Sequence, residues 1–332
     1  MTEPMIELED VAKSFDGGAT HAVEGVNLTI EEGGFVVLVG GSGSGKTTTL
    51  KMINGLIRPD RGQIRVGGEA VGAAPPHILR RRIGYVFQEI GLFPHLSVAE
   101  NIGITPMLMG ESKTAIEARV AELLDLVSLP RDFATRRPSA LSGGQRQRVA
   151  IARALAVRPR VLIADEPVSM LDVSIRLGVL NLLAELRDEE RLAILYVTHD
   201  IASARYLADT IVVMYAGQLV ESAPSATLTD SPAHPYTQLL LSAAPDPDRV
   251  TPPHLEGRGA PPSLSAPPSG CRFHPRCPFV MDICKREVPP SIAVSPGHVA
   301  ACWLHVDPAE RGGGENGVLA TPSASMENEI KR

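Results

Sequence analysis

The sequence is poor in aromatic residues. Phenylalanine, tyrosine and tryptophan make up only 4% of its 332 residues, too few to pave a base-stacking surface for single-stranded nucleic acid. It has no long basic run, and its 32 lysines and arginines are outnumbered by 38 acidic residues, so no track for a phosphate backbone is provided. No segment approaches the roughly 18 uninterrupted apolar residues that a spanning helix needs. The first ten residues, MTEPMIELED, are acidic and lack the basic and apolar parts of a secretory signal. These absences disfavour nucleic-acid binding and predict a cytoplasmic protein whose membrane role must pass through a partner. Cysteine is missing from the first 270 residues. The four that follow, in a reducing compartment, read as metal ligands more readily than as disulfides.

What is present is apolar substance. Hydrophobic residues make up 44% of the chain, whose length suits one large domain with an appendage or two modest domains. Phe35–Val39, Val161–Ala164 and Ile194–Val197 read as buried parallel strands, and Lys46–Leu56 and Arg146–Val157 as helices. This alternation predicts an α/β fold with a parallel-sheet core over residues 1–244. The first 35 residues instead alternate apolar positions (Ile6, Leu8, Val11, then Val26, Leu28, Ile30), which predicts an antiparallel β subdomain. Helical patterning predicts a helical subdomain over about 90–157. Eight prolines between Pro245 and Pro268 predict a linker over 245–269. A cysteine-containing C-terminal region follows over 270–307, and the polar stretch 308–332 is expected to be disordered. No internal repeat is found, so the chain carries one set of motifs.

One motif is a phosphate cradle. Gly40, Gly41, Ser42, Gly43, Ser44, Gly45, Lys46, Thr47 and Thr48 follow an apolar strand and open a helix, the context a P-loop requires. Glycines let the backbone curl its N–H groups toward phosphate oxygens, and the helix N-terminus adds partial positive charge. Lys46 can reach the β- and γ-phosphates of a nucleotide, and the Thr47 hydroxyl can ligate Mg2+. A second apolar strand ends in Asp165 and Glu166. The first carboxylate would sit beside the metal, and the second is placed to take a proton from water attacking the γ-phosphate.

Leu141, Ser142, Gly143, Gly144 and Gln145, about twenty residues before this acidic pair, resemble the signature of the ABC ATPases. The other motifs of that family are present in order. The resemblance implies that Phe15 stacks on adenine and that Gln88 senses the metal and the attacking water. It further implies that Ser169 to Asp172 form a loop crossing a dimer interface, and that His199 contacts the γ-phosphate. In the family each signature loop covers the ATP held by the other subunit, so Lys46 and Ser142 of one chain belong to different sites. The implied partners are a second ABC ATPase subunit, identical or similar, membrane permease subunits and, indirectly, an extracytoplasmic substrate-binding protein. The implied place is the cytoplasmic face of the membrane, peripherally attached.

Two stretches point to different branches of that family. Ile83 to His95, around Gln88, resembles importers of quaternary-amine osmolytes. The run from Ala164 to Ser174, His234 to Leu241 and Gly270 to Pro278 resemble the dipeptide, oligopeptide and nickel importers, and the tail carries more weight because the region after Gln88 faces the membrane subunits. A peptide importer is therefore expected, with an osmolyte importer or a soluble ABC ATPase as alternatives. Cys271, Cys277, Cys284 and Cys302 are separated by five, six and seventeen residues. Four thiolates can hold zinc or an iron–sulfur cluster, and the gaps exceed the roughly two to four residues usual between near zinc ligands. The resemblance implies a four-iron cluster. Zinc, with His274, His298 or His305 as substitute ligands, and four unligated thiols in a packed subdomain both stay open.

Overall fold

The computed structural model describes residues 4–243 and 267–311. Most of the proline-rich stretch and the residues beyond 311 lie outside the described residues, and the expectations of a linker and a disordered tail lie there with them. The chain runs through β1 (Pro4–Ser14), β2 (His21–Glu31), β3 (Phe35–Val39), α1 (Lys46–Ile53), β4 (Arg61–Val66), β5 (Glu69–Ala70), α2 (Pro76–Arg80) and β6 (Ile83–Val86). Three helices follow, α3 (Val98–Leu108), α4 (Lys113–Leu126) and α5 (Gly143–Leu155). The alternation then resumes with β7 (Val161–Asp165), α6 (Val173–Glu190), β8 (Ala193–Thr198), α7 (Ile201–Leu207), β9 (Thr210–Tyr215) and β10 (Gln218–Pro224). Two helices, α8 (Ser225–Asp230) and α9 (Pro235–Ala243), come next, and α10 (Asp282–Arg286), β11 (Ser291–Ser295) and β12 (His298–Ala301) lie in the C-terminal segment.

Strands β2, β1, β4 and β5 form a small antiparallel sheet in that order. The large sheet has the order β11-β12-β10-β9-β3-β8-β7-β6, parallel from β9 to β6 and antiparallel from β9 outward to β11. Its central strands are apolar on both faces because both are covered. In β3, Phe35, Val37 and Val39 pack on the face covered by α3 to α7, while Val36 and Leu38 pack with Met5, Ile6 and Leu50 on the face covered by the small sheet and α1. β7 divides the same way, with Leu162 and Ala164 on one face and Val161 and Ile163 on the other.

Helix ends follow local chemistry. α1 stops at Ile53, before the expected Leu56, because Gly55 takes a φ of 64° that ends the helix. α5 starts at Gly143, before the expected Arg146, because Ser142 and Gln145 form a reciprocal capping box. The cysteine-bearing segment is continuous with the large sheet. β12 pairs with β10, covering an edge that would otherwise expose unpaired backbone groups. At that seam the buried Glu221 carboxylate accepts from the Ala233 and His234 N–H groups at 2.7 and 2.9 Å and lies 2.7 Å from His298 Nε2.

His298 lies within hydrogen-bond distance of the buried Glu221 carboxylate, and removing it leaves that oxygen short of a partner. His298→Ala is expected to lower stability by about 2 kcal/mol. A urea unfolding curve checks this, and an unchanged midpoint would show that this contact contributes nothing to the seam.

Candidate functional site

β3 leads into the loop Gly40–Thr48, and α1 leads out of it. The loop closes this tightly because glycine occupies its turning positions. Gly43 and Gly45 have φ of 75° and 108°. A Cβ on Gly40 would lie 2.3 Å from the Met214 carbonyl oxygen and 2.6 Å from Ser44 Oγ. Gly43 to Thr48 wrap a cavity of about 160 Å3, and the first-turn N–H groups of α1 lack acceptors within the helix. Lys46 is buried, and its Nζ donates to the Gly40 and Gly41 carbonyls at 2.7 and 2.9 Å. Burial lowers its pKa, while Glu166 and Asp165 raise it. Neutral carbonyls are modest partners for a buried ammonium, so an anionic oxygen would compete well for it.

Three further loops leave the ends of β6, β7 and β8, which are neighbours in the sheet. Glu166 follows β7 with φ of 46°, and its N–H donates to the Val197 carbonyl at 2.9 Å. Its Oε2 accepts from Gln88 Nε2 at 3.3 Å and lies 3.1 Å from His199 Nδ1. Side chains from positions 88, 166 and 199 thus meet on one oxygen. The Tyr85 hydroxyl donates to Asp165 Oδ2 at 3.5 Å. Burial, then the charge of Glu166, pushes the Asp165 carboxyl above the usual carboxylate range, and Lys46 pulls it back. Two carboxylates against one buried lysine leave surplus negative charge. With an amide oxygen on Gln88 and the Thr47 hydroxyl lining the loop cavity, the donor chemistry fits a hard divalent cation.

The remaining expected residues lie elsewhere. Ser142 Oγ accepts from the Gln145 N–H at 3.3 Å, and Gln145 Oε1 accepts from the Ser142 N–H at 2.9 Å. A Cβ on Gly144 would lie 2.3 Å from Ile175 Cγ2, so only glycine lets α5 begin this close to α6, whose N-cap is Asp172. None of residues 142–145 lines the cavity over Gly43–Thr48. Phe15 is 65% exposed and lines a separate cavity of about 560 Å3 with Lys13, His21 and Asp60.

Known proteins match this arrangement. The ABC transporter profile matches residues 23–169, and the oligopeptide/dipeptide transporter C-terminal region matches residues 220–284. A peptide import ATP-binding protein of Brucella abortus strain 2308 is 40% identical over 321 residues, covering 91% of this chain and 95% of that one. The chain belongs to the ABC transporter ATP-binding proteins. A peptide ABC transporter ATP-binding protein of Sinorhizobium fredii is 38% identical to this ATPase over 329 residues, covering 93% and 92% of the two chains. A dimeric ATP-binding cassette solved in a post-hydrolysis state with ADP and Pi superposes with a TM-score of 0.60 at 35% identity, over 67% of this chain and 99% of that one. A Clostridium perfringens cassette that is part of an ABC transporter complex superposes with a TM-score of 0.65 at 29% identity, over 69% and 92%.

The cysteines of this ATPase converge without forming a ligand set. The Cys271 N–H donates to the Cys284 carbonyl at 2.8 Å, Cys284 packs with Trp303 and Val306, and Cys302 is also buried. Among the described residues, no group of three or more histidines, cysteines or acids is placed to hold a metal ion. Burial pushes the Cys271 and Cys277 thiols up to about 11 and Cys302 up to about 12, and neighbouring thiols add to each rise. His298 and His305, read from sequence as substitute ligands, are engaged instead with Glu221 and the Ala233 carbonyl. Two neighbours of the site lie in runs that resemble the family but were not read as site residues. Tyr85 sits on Asp165, and the Tyr236 hydroxyl accepts from the Gly41 N–H at 2.9 Å. Tyr85 lies only three residues before Gln88, a proximity that could have marked it; nothing local marks Tyr236 as a neighbour of Gly41.

A carboxyl whose folded pKa is raised favours its protonated form, so the stability it lends is present in acid and lost as pH rises through that pKa. Asp165→Asn is therefore expected to raise the melting temperature of the nucleotide-free ATPase by roughly 2 °C at about pH 7.5, with no gain in acid. Thermal scans at the two pH values check this; a lower melting temperature at about pH 7.5 would contradict it.

Proposed function

We propose that this ABC ATPase holds Mg·ATP between its Gly40–Thr48 loop and the Ser142–Gln145 loop of a second ATPase subunit, and that hydrolysis drives peptide import through a membrane permease. The observation that carries this reading is the meeting of Gln88 and His199 on Glu166 Oε2. A carboxylate held from two sides is oriented, as a base for water must be. Glu166 takes the proton as water attacks in line, Gln88 orients that water, and His199 steadies the γ-phosphate. Lys46 balances charge on the transferring group, and Phe15 stacks on adenine. Mg2+, which Thr47, Gln88 and Asp165 would hold, supplies charge neutralisation on the phosphates. Ser142, Gly143, Gly144 and Gln145, standing off their own phosphate cavity, serve the neighbouring subunit's nucleotide, and Asp172 crosses between subunits.

The division into a nucleotide-binding domain over 1–244 and a cysteine-containing region over 270–307 belongs to the same reading. So does attachment at the cytoplasmic face of the membrane, with the binding protein reached only through the permease. Peptide transport is supported by the oligopeptide/dipeptide C-terminal region and by the names of the relatives. Glu166→Gln should keep ATP binding, lose at least about 100-fold in turnover, and lock the subunits together. Captured with ATP from detergent-solubilised membranes, that variant is expected to carry a permease whose binding protein takes peptides. Wild-type turnover would remove Glu166 from the base role, and an osmolyte-only permease would overturn the substrate.

The cysteines support a second reading, an iron–sulfur cluster or zinc at Cys271, Cys277, Cys284 and Cys302. What favours it is that the four cysteines belong to one small element, in which the Cys271 N–H is bonded to the Cys284 carbonyl at 2.8 Å. Protein purified without air should then be brown and absorb visible light. Colourless protein with one zinc per chain would identify zinc, and no metal would leave four packed thiols.

A further inference from the structure

The phosphate loop is tied to a residue that belongs to none of its motifs. The peptide joining Gly40 to Gly41 is held at both ends. Its carbonyl accepts from Lys46 Nζ at 2.7 Å, and its N–H donates to the Tyr236 hydroxyl at 2.9 Å. A peptide unit is planar, so two such ties fix its rotation. Only one of the two survives function unchanged, because phosphate oxygens compete for Lys46. With that tie loosened, the orientation of the first peptide of the cradle depends on Tyr236.

The tyrosine is in turn held from the C-terminal side. It is 4% exposed, and its ring centre lies 4.4 Å from that of Tyr215 and 5.5 Å from that of Phe273. Its backbone N–H donates to His234 Nδ1 at 3.0 Å at the start of α9. Burial keeps His234 neutral, with its pKa lowered to about 3, so the ring nitrogen stays available as an acceptor. Phe273 lies between Cys271 and Cys277, and its neighbour Arg272 bonds to the Ala216 carbonyl and the Glu24 carboxylate. The ring that backs Tyr236 is therefore part of the cysteine element and cannot drift from it.

We propose that the Tyr236 hydroxyl is a positioning group of the phosphate cradle, and that the cysteine element holds it in place through Phe273. The proposal rests on the reading of Gly40–Thr48 as the nucleotide phosphate site. Tyr236 acts on the loop's resting geometry and touches no reacting atom. Its loss should therefore weaken nucleotide binding and leave the chemical step alone.

The test uses the full chain and Mg·ATP. Tyr236→Phe removes the hydroxyl and keeps the ring, and is expected to raise Kd and KM roughly three- to tenfold, the range of one neutral hydrogen bond. Its kcat should stay at the wild-type value. Tyr215→Phe, which removes an adjacent buried hydroxyl that has no hydrogen bond to the phosphate loop, should leave Kd unchanged. Phe273→Leu should raise Kd by a smaller factor, and should add little in the Tyr236→Phe background. A wild-type Kd in Tyr236→Phe, or a drop in its melting temperature without a change in Kd, would overturn the positioning role. A wild-type Kd in Phe273→Leu would overturn the link to the cysteine element. If the wild-type chain bound no Mg·ATP, the nucleotide reading itself would fall, an outcome distinct from these.

Discussion

Strands β3, β8, β7 and β6 lie side by side and run the same way, and the chemistry of the site depends on that constraint. Each is apolar on both faces, so burial on two sides locks its register as well as its direction. Parallel neighbours deliver their C-terminal ends to the same edge of the sheet, where loops can meet. Lys46, His199, Glu166 and Gln88 each follow one of these ends within a few residues. Residues distant in sequence become neighbours without any contact evolved between the loops beyond the last side chains.

The electrostatics follow from this convergence. Burial works against ionisation at both signs, lowering Lys46 and raising Asp165, and each charge partly offsets the other's cost. Glu166 adds a second negative charge beside Asp165, so the balance within one chain is incomplete. Such a site is poised for ligands bearing both signs, and a metal–phosphate group brings both.

Much of this was legible in the sequence where the signal is local. The cradle motif sits in a contiguous run, and the strands before it and before Asp165 are pure apolar segments. The meeting of Gln88, Glu166 and His199 was reachable only through resemblance, because no local pattern says that strands so far apart pair. The stretch around Gln88 pointed toward osmolyte importers, against the relatives. Phe87 and Phe93 there are 49% and 41% exposed, so the fold constrains this segment weakly and its composition says little about the rest. Strand β11 was illegible for a related reason. β11 is almost wholly exposed, so it has no buried face to impose a period on the sequence.

The turn at Ala216 and Gly217 shows how the C-terminal segment reaches the site without joining its chemistry. Both residues take positive φ, 47° and 88°, which turns their polar groups outward in different directions. The Gly217 N–H donates to the Ser44 carbonyl inside the cradle at 2.8 Å, and the Gly217 carbonyl accepts from the Glu24 N–H on β2 at 2.8 Å. The Ala216 carbonyl accepts from Arg272, whose guanidinium also pairs with Glu24. A side chain at 217 would meet the Ala22 carbonyl and Arg272 at 2.8 Å, so glycine is required where these elements close in. The buried guanidinium is tolerable because it is bonded on several sides. Small sheet, phosphate loop and cysteine element therefore share one two-residue turn. A shift in any of them is felt by the other two.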